Sequence, residues 1–391
     1  MKRNKVIVFT GGGSGGHLTP LMSVAQILRT EAPEFKLVYI GQKGDNLGDI
    51  ISDNPLFHSV YTVRAGKFRR YNGEGYKQIF DVKTMLLNFR DMFYVAIGLF
   101  QSWRLLGKLN PSVVFCKGGF VCVPVGLASA LRRIPYVTHD SDALPGLANR
   151  IIARWAAHHA VSLPKELYSY PPEKTITTGV PIQAGFKHVT EHMTISARDK
   201  LKIIKSANAV LVIGGGLGAT RVNDAVLDVA RKMFADIPKL YILHVAGRNS
   251  LDAVTDAYKS KLTDDQFKRV QVYGFTNDVV TLGEAATVVI TRAGATNLAE
   301  FATQAKPCII IPNNQLTGGH QTKNAMAYHR QGAAIVLPET ELKQLARVTT
   351  DLINSKHLQQ QLSEKIATFA TKDAAGSIAH LLLATSLKSS L

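Results

Sequence analysis

Two short apolar runs along the chain each end in three consecutive glycines. Val6–Phe9 leads to Gly11–Gly13, and Val210–Ile213 leads to Gly214–Gly216. Uninterrupted apolar runs of this length are typical of strands buried on both faces of a parallel sheet. In each case a stretch with helical periodicity follows the glycines. A strand, a glycine turn and a helix form the first unit of a nucleotide-binding α/β domain, so the pattern predicts two such domains in tandem.

Further apolar runs alternate with helix-like stretches in both halves of the chain, as in parallel α/β sheets. The predicted strands are Leu37–Ile40, Val113–Phe115, Tyr136–Thr138, Leu240–Val245, Val270–Tyr273, Thr287–Thr291 and Cys308–Pro312. The predicted helices include Leu21–Arg29, Val222–Ala235 and Ile378–Leu387. The Pro171–Pro172 break places a domain boundary near Gly179–Pro181. We therefore expect an N-terminal domain over residues 1–180 and a C-terminal domain over 181–391, with the option that the last helices return to the N-terminal domain.

The two glycine loops are suited to a phosphate rather than to a dinucleotide. Gly11–Gly16 matches G-x-G-x-x-G, and glycines let the backbone and the following helix N-terminus approach a phosphate closely. A dinucleotide site also needs an acidic residue after the second strand, where it binds the ribose. The two domains have Ile40–Lys43 and Ala246–Arg248 at these places, and neither segment contains an acid. Arg248 is able to hold a 2′-phosphate, which leaves an NADP oxidoreductase open as an alternative.

Several polar residues near these turns are candidates for catalysis and sugar binding. His17 directly follows the first glycine loop, where an imidazole that titrates near neutrality is able to accept a proton. Glu300 lies on a predicted helix, and its carboxylate has two oxygens that accept hydrogen bonds from a ribose diol. His320, Gln321 and Asn324 supply donors and acceptors that suit sugar hydroxyls.

Composition limits the class of protein and of partner. The chain has 391 residues and a formal net charge of +17, from 46 Lys and Arg against 29 Asp and Glu. A charge of this size favours an anionic partner: nucleic acid, acidic lipid headgroups or a phosphorylated substrate. The 3 cysteines lack CxxC spacing, which indicates a reducing compartment without a disulfide framework or zinc site. No run of about 20 apolar residues is present and no signal-peptide core follows Met1–Lys5, so we expect a soluble intracellular protein.

An amphipathic helix is predicted over Met85–Leu109. Apolar side chains recur on one of its faces at helical spacing: Met85, Phe89, Met92, Ala96, Leu99, Phe100, Trp103 and Leu106. Basic residues lie around this face: Lys77, Lys83, Arg90, Arg104 and Lys108. Such a stripe either packs into the core of a domain or rests on an anionic membrane surface, and the sequence leaves both open.

Seven ordered blocks of sequence resemble a known family. They are Gly11–Pro20 (GGGSGGHLTP), Ala65–Tyr71 (AGKFRRY), Lys117–Pro124 (KGGFVCVP), His139–Arg150 (HDSDALPGLANR), Gly214–Asn223 (GGGLGATRVN), Arg292–Glu300 (RAGATNLAE) and His320–Ala325 (HQTKNA). Over nearly the whole chain they resemble glycosyltransferase family 28, in its branch of bacterial UDP-N-acetylglucosamine:lipid I N-acetylglucosaminyltransferases. The resemblance implies an α/β fold of the GT-B class, in which two Rossmann-like doubly wound domains face a central cleft. It implies that the C-terminal domain binds UDP-GlcNAc and the N-terminal domain binds the lipid acceptor.

The reaction that this resemblance implies is an inverting transfer of N-acetylglucosamine to the MurNAc 4-hydroxyl of lipid I. Lipid I is MurNAc-peptide linked to undecaprenyl diphosphate, and the product is lipid II for peptidoglycan synthesis. The implied partners are UDP-GlcNAc, lipid I and an anionic membrane surface, with no nucleic acid, and the implied location is the cytoplasmic face of the cell membrane as a peripheral protein. We expect neither a metal nor another cofactor, because helix N-termini would stabilise the departing UDP.

Carried over residue by residue, the resemblance assigns roles to most of the candidate residues. Ser14, Gly15 and Gly16 fall in the phosphate and sugar region, and His17 becomes the general base for the acceptor hydroxyl. The donor-binding assignments are Thr276 for uracil through its backbone, Ala295, Thr296, Asn297, Leu298 and Ala299 for the diphosphate and sugar through backbone groups, Glu300 for the ribose, and Gln321 for the GlcNAc hydroxyls.

The diphosphate region departs from the family pattern. Gly216 stands where the family usually has Ser, and Gln183 stands where it usually has Arg. A hydroxyl donor and a bidentate clamp are therefore missing. Either Arg221, Arg248 or Arg292 compensates for this loss, or the donor binds more weakly.

The His139–Arg150 block also departs from the pattern, because it begins His-Asp-Ser-Asp where the family has His-Glu-Gln-Asn. Asp140-Ser-Asp142 is a D-x-D, which in the other large glycosyltransferase architecture chelates a metal, but its place in this block favours acceptor contact by Asp142. His158 and His159 are predicted to form an exposed pair. Two further alternatives stay open: a related enzyme that glycosylates another lipid, such as a diacylglycerol, and a non-catalytic protein that binds UDP-GlcNAc without releasing UDP.

Overall fold

The computed structural model of the chain describes residues 3–12, 15–44, 51, 54–67, 82–215, 218–314 and 319–388, with the backbone alone at 15–17, 82–84 and 388. The chain divides into two compact units. Unit 1 comprises Met1–Gln183 and Thr371–Leu391, and unit 2 comprises Ala184–Ala370.

Unit 1 is built on a parallel sheet that has 7 strands within the described residues. The strands are β1 (Asn4–Thr10), β2 (Lys36–Gln42), β3 (Ser59–Val63), β4 (Pro111–Cys116), β5 (Tyr136–Asp140), β6 (His158–Val161) and β7 (Thr175–Thr177). Their order is β3-β2-β1-β4-β5-β6-β7, and neighbouring strands pair in parallel. The helices of the first part of this unit are α1 (Gly15–Glu31), α2 (Val82–Leu109), α3 (Cys122–Leu131) and α4 (Leu147–Ile152).

Strand β1 shows why the apolar runs are uninterrupted. Ile7 and Phe9 point to one face, where they join a fully buried cluster with α1 residues such as Leu28. Val6 and Val8 point to the other face and join a second cluster with α3. Because successive side chains alternate between faces and helices cover both, every position of the strand centre is apolar.

Unit 2 repeats this construction with 6 parallel strands within the described residues. They are β8 (Asn208–Ile213), β9 (Leu240–Val245), β10 (Val270–Tyr273), β11 (Val288–Thr291), β12 (Cys308–Ile310) and β13 (Ile335–Val336), in the order β10-β9-β8-β11-β12-β13. The helices are α5 (Glu191–Lys200), α6 (Thr220–Asp236), α7 (Leu251–Lys261), α8 (Asp264–Phe267), α9 (Val279–Ala285), α10 (Ala295–Thr303), α11 (His320–Arg330), α12 (Leu345–Asn354) and α13 (Lys356–Ala367).

The C-terminal helix α14 (Ala374–Lys388) belongs to unit 1. Ile378 and Leu382 are fully buried in the same cluster as Phe9, and His380 Nε2 lies 2.7 Å from the Glu31 carboxylate of α1. Burial of each large aliphatic side chain stabilises the packing by about 1.5–3 kcal/mol. The last helix is therefore an integral part of the unit that the N-terminal strand begins.

The predicted α/β class and the predicted strands and helices are confirmed. The strands that sequence patterning missed are β3, β6, β7 and β13, which are short or carry polar residues. The prediction that His158 and His159 form an exposed pair is wrong, because His159 is fully buried on β6 and stacks on Tyr170 with ring centroids 3.9 Å apart. Burial lowers the pKa of His159 to about 4, so the ring is neutral.

Candidate functional site

The strand order gives each unit a topological switch point, where the sheet grows in opposite directions from two central strands. In unit 1 these strands are β1 and β4, and in unit 2 they are β8 and β11. Ligands of open α/β sheets bind beyond the carboxyl ends of the strands at this point. The loops that follow these four strands are therefore the places to look for function.

In unit 1 the loops after β1 and β4 are hydrogen-bonded to each other. Lys117 N donates to the Thr10 carbonyl at 2.9 Å, and Gly12 N donates to the Gly118 carbonyl at 3.2 Å. A side chain on Gly119, which has a φ of 92°, would collide with the Gly12 carbonyl. These glycines therefore permit a close approach of the two backbones.

Helix α1 begins at Gly15 directly after the first glycine loop, and His17 is in its first turn. The predicted site residues Gly15, Gly16 and His17 thus lie at a helix N-terminus beside the switch point. Ser14 and the His17 ring lie outside the described part of the chain. The role of His17 as a base stays a prediction.

A charged cluster lies at the same edge of the unit 1 sheet. Lys117 is buried, and its Nζ donates to Ser141 Oγ at 3.0 Å. Burial lowers the pKa of Lys117, and the Asp140 and Asp142 carboxylates partly offset this effect. Asp142, a predicted substrate residue, is only half-buried in the loop after β5. The sequence analysis assigned no role to Lys117. Its position between a buried strand and two glycines is the signal that could have indicated one.

Asp140 is occupied by protein donors rather than being free for a metal. Its Oδ1 accepts hydrogen bonds from Gly146 N and Asn149 Nδ2, both at 2.9 Å, and its Oδ2 accepts one from the Tyr170 hydroxyl at 2.8 Å. The side chain thus fixes the loop that carries Asp142. Within the described ranges, no group of three or more His, Cys, Asp or Glu residues has metal-binding geometry.

In unit 2 the glycine loop after β8 packs against the turn after β9. Gly215 and Gly218 have φ values of 98° and 79°, and a side chain on Gly218 would collide with the Ala246 carbonyl. Asn223 of α6 donates to that same carbonyl at 2.9 Å and contacts buried His244 at 3.1 Å through its Oδ1. Asn223 thus links the glycine loop and the turn after β9. Gly216 itself is outside the described residues.

Helix α10 starts after β11, and no side-chain cap is present at its N-terminus in the described part of the chain. Its N-cap residue is Gly294, and Ala295–Ala299 form its first turns, as the site assignment requires of backbone donors. Asn324 is buried and donates to the Ala293 carbonyl at 3.0 Å. Asn324 therefore fixes the turn that aims these amides.

Glu300 is a buried carboxyl on α10. Burial raises its pKa to about 8, and no hydrogen bond to its carboxyl oxygens is present among the described residues. A carboxyl that is buried without a protein donor is destabilising unless a ligand supplies one. This is the arrangement that a ribose diol would complete.

The remaining donor residues lie around this edge of the sheet. Gln321 accepts a hydrogen bond from Asn313 N at 2.9 Å through Oε1, which fixes its side chain at the start of α11. The neighbouring His320 has a buried Nδ1 that has no hydrogen-bond partner among the described residues. Thr276 is half-buried after β10, beside Phe275, whose exposed ring lies 4.4 Å from the Arg248 guanidinium. Sequence patterning did not find this pair, since cation–π contacts join residues on different loops.

Two of the three candidate arginines are held by one carboxylate. Glu339 Oε1 lies 2.6 Å from Arg292 Nη2, and its Oε2 lies 2.6 Å from Arg221 Nη1. Arg292 is buried and also donates to the Ile311 carbonyl at 3.2 Å. Gln183, where the family usually has Arg, is an exposed residue at the end of the first segment of unit 1.

Comparison with known proteins identifies the family. The glycosyltransferase family 28 N-terminal domain matches residues 7–161, and the family 28 C-terminal domain matches residues 209–378. The UDP-N-acetylglucosamine--N-acetylmuramyl-(pentapeptide) pyrophosphoryl-undecaprenol N-acetylglucosamine transferase of Clostridium botulinum is 34% identical over 340 residues, which is 86% of each chain. The chain belongs to glycosyltransferase family 28.

Other members and a solved structure extend the match along the chain. The transferase of the same name from Natranaerobius thermophilus is 29% identical over 97% of this chain and 99% of its own. The crystal structure of Acinetobacter baumannii MurG has a TM-score of 0.73 at 21% identity and covers 97% of this chain and 99% of that one. The family 28 fold, GT-B, therefore accounts for both units, and the protein is a glycosyltransferase.

Proposed function

We propose that this protein transfers N-acetylglucosamine from UDP-GlcNAc to lipid I, which gives lipid II. The observation that carries the proposal is the donor half-site of unit 2. Within the described residues, a glycine loop, a helix N-terminus without a side-chain cap and a buried carboxyl without a hydrogen-bond donor lie along one edge of the unit 2 sheet. Each provides what one part of a UDP-sugar needs: space and amides for the diphosphate and an acceptor for the ribose diol.

The donor half-site favours departure of UDP. Negative charge develops on the diphosphate as the sugar–phosphate bond breaks. The amides of the first turn of α10 and its dipole then stabilise that charge without reorganisation, because the helix is already formed. Asn324 keeps the turn before Gly294 in place through the Ala293 carbonyl. The chemistry assigned to these residues needs no metal.

The acceptor half-site is the edge of unit 1. His17 removes the proton from the MurNAc 4-hydroxyl, whose oxygen attacks the anomeric carbon from the face opposite UDP. A C–O bond to the acceptor forms, the C–O bond to the diphosphate breaks with its electron pair, and the configuration inverts. Asp142, in the loop that Asp140 fixes, contacts the acceptor.

Turnover with defined acceptors tests the proposal. UDP-GlcNAc and a lipid I analogue should yield UDP and the disaccharide in equal amounts, and excess EDTA should leave the rate within about twofold if helix amides rather than a metal stabilise UDP. A diacylglycerol acceptor should give no product. UDP release with diacylglycerol only would favour a related enzyme that glycosylates another lipid. Binding of UDP-GlcNAc without release of UDP would indicate a non-catalytic sugar-nucleotide-binding protein. Binding of NADPH would favour the NADP oxidoreductase.

We also infer that unit 1 docks on the cytoplasmic leaflet as a peripheral membrane protein. The apolar stripe of α2 faces solvent over its N-terminal part, where Met85, Phe89, Met92 and Phe93 are more than half exposed. Leu106, near the C-terminal end of the same stripe, is buried in unit 1. No helix in the described ranges is long and apolar enough to cross a bilayer. Exposed aromatic residues with basic neighbours bind anionic interfaces by combining apolar burial with charge attraction.

Replacing Phe89 and Phe93 with serine should reduce binding to vesicles of phosphatidylglycerol and phosphatidylethanolamine by about fivefold or more, because it removes much of the apolar area that inserts. Co-sedimentation measures the bound fraction. Ile204→Ser is the matched control, since Ile204 is 54% exposed but lies in unit 2. Equal loss in both variants, or no loss in the double variant, would contradict docking through α2.

A further inference from the structure

The arginines near the edge of the unit 2 sheet that would receive a diphosphate differ in their partners. Arg221 and Arg292 both pair with Glu339, at 2.6 Å each. Both guanidinium groups are therefore already held by the same carboxylate, which neutralises only one of their two positive charges. Arg248 differs, since no ion pair and no hydrogen bond to its guanidinium is present in the described part of the chain, and the residue is exposed.

Arg248 lies directly beside the glycine loop. It follows Gly247, whose φ is 100°, in the turn after β9. The glycine loop touches this turn, because a side chain on Gly218 would collide with Ala246 and Gly247. Strand β9 is next to β8 in the sheet, so both turns stand at the same carboxyl edge.

The turn that carries Arg248 is held in place by its backbone. Ala246 N donates to the Tyr273 carbonyl at 2.8 Å, and the Ala246 carbonyl accepts from Asn223 Nδ2 at 2.9 Å. Asn223 is in turn fixed by His244. A residue on such a turn starts near its binding position, so less conformational entropy is lost when a ligand arrives.

The guanidinium is also oriented before any ligand binds. It lies over the Phe275 ring with 4.4 Å between its central carbon and the ring centroid. A guanidinium that stacks on an aromatic ring uses its face, and its five N–H donors remain free in the plane. Such a planar fork matches two oxygens of a phosphate.

We propose that Arg248 is a diphosphate-binding residue, which donates hydrogen bonds from its guanidinium, stacked on Phe275, to the phosphate oxygens of the UDP donor. The inference rests on the proposed function, because that function brings UDP to this edge. In this proposal Arg248 of unit 2 supplies the positive charge that the family usually has at the position of Gln183. Arg221 and Arg292 already direct part of their guanidinium groups to their common partner Glu339, whereas Arg248 does not.

Calorimetric titration of the full-length protein with UDP, UMP and uridine tests the assignment. Arg248→Gln should weaken UDP binding by about 10- to 100-fold, the effect of losing charge-assisted hydrogen bonds, and should leave uridine within about twofold. Arg248→Lys should fall between wild type and Arg248→Gln, because an ammonium keeps the charge but not the fork. Arg221→Gln is the matched control, an exposed arginine of the same unit that should change UDP affinity by no more than about twofold. The melting temperature of each variant is measured alongside.

The outcomes separate this inference from the function on which it rests. A wild-type protein that does not bind UDP overturns both. If wild type binds UDP, an unchanged UDP affinity in Arg248→Gln overturns the inference alone. An equally large loss of affinity for uridine and for UDP would also overturn the inference, since Arg248 would then contact the nucleoside or support the fold. A loss confined to the phosphate-bearing ligands, which shrinks as salt concentration rises, supports it.

Discussion

His17→Ala is expected to lower kcat by about 10²–10⁴, the usual contribution of a general base. The KM for UDP-GlcNAc should stay within about threefold, because His17 lies in the first turn of α1 in unit 1, whereas the residues assigned to the uracil, the ribose and the GlcNAc hydroxyls lie in unit 2. The wild-type pH–rate profile should fall on its acid side as the imidazole becomes protonated. In the variant that acid limb should disappear. Initial rates of UDP release across pH measure both effects.

Two further variants make the result specific. His357→Ala removes an exposed histidine of unit 2 and should leave kcat unchanged. Asp142→Asn tests the carboxylate that stands in the same loop cluster as Lys117. Near-normal turnover in His17→Ala would remove His17 from the role of base. Loss of the acid limb in Asp142→Asn instead would assign the base to Asp142.

The fold was predictable from sequence wherever a structural requirement can be met by only one type of residue. The β1 and β8 runs are apolar throughout because helices cover both sheet faces, and the glycines after them are required where backbones touch, as at Gly119 and Gly218. Short strands such as β6 were missed because polar residues interrupt the pattern. The two histidines of β6 read as exposed, whereas one is buried against Tyr170.

The candidate site was predictable only in part, because charge balance depends on contacts between distant residues. Glu300 was found as a carboxylate near a helix start. Arg292, Arg221 and Arg248 looked equivalent in sequence, and only the position of Glu339, more than forty residues later in the chain than Arg292, separates them. In the same way, the sequence showed that Asp140 is part of a D-x-D whose place favours acceptor contact by Asp142, and only the structure shows the three protein donors of Asp140.

Glu300→Gln is expected to weaken uridine binding and yet to stabilise the free protein at neutral to alkaline pH. Burial raises the pKa of Glu300 from 4.5 to about 8. The folded state therefore favours the neutral carboxyl, while the unfolded chain ionises near its ordinary pKa. The stability of the wild type should fall by about 1.4 kcal/mol per pH unit as pH rises from about 4.5 towards 8. The amide has no such dependence.

Thermal unfolding without ligand measures the stability effect. The melting temperature of Glu300→Gln relative to wild type should rise steadily between pH 5.5 and 7.5, at about 2–4 °C for each kcal/mol. Thr303→Ser, on the same helix, is the control and should show no change of this difference with pH. A constant difference at every pH would contradict the buried ionisation of Glu300.

The binding effect runs in the opposite direction. A ribose diol donates two hydrogen bonds and so prefers the ionised carboxylate, which means that uridine binding below pH 8 must first release a proton from Glu300. The affinity of the wild type for uridine should therefore rise by up to tenfold per pH unit from pH 6 to 8. The affinity of Glu300→Gln should be about 10- to 100-fold weaker than that of the wild type at pH 8, and it should not depend on pH. Uridine is chosen because it has no phosphate that titrates in this range. If the Glu300 carboxyl only supported α10, its substitution would destabilise the protein, and uridine binding by the wild type would not depend on pH. A variant that is more stable than the wild type, but binds uridine more weakly and without pH dependence, would therefore identify Glu300 as a ligand-binding residue.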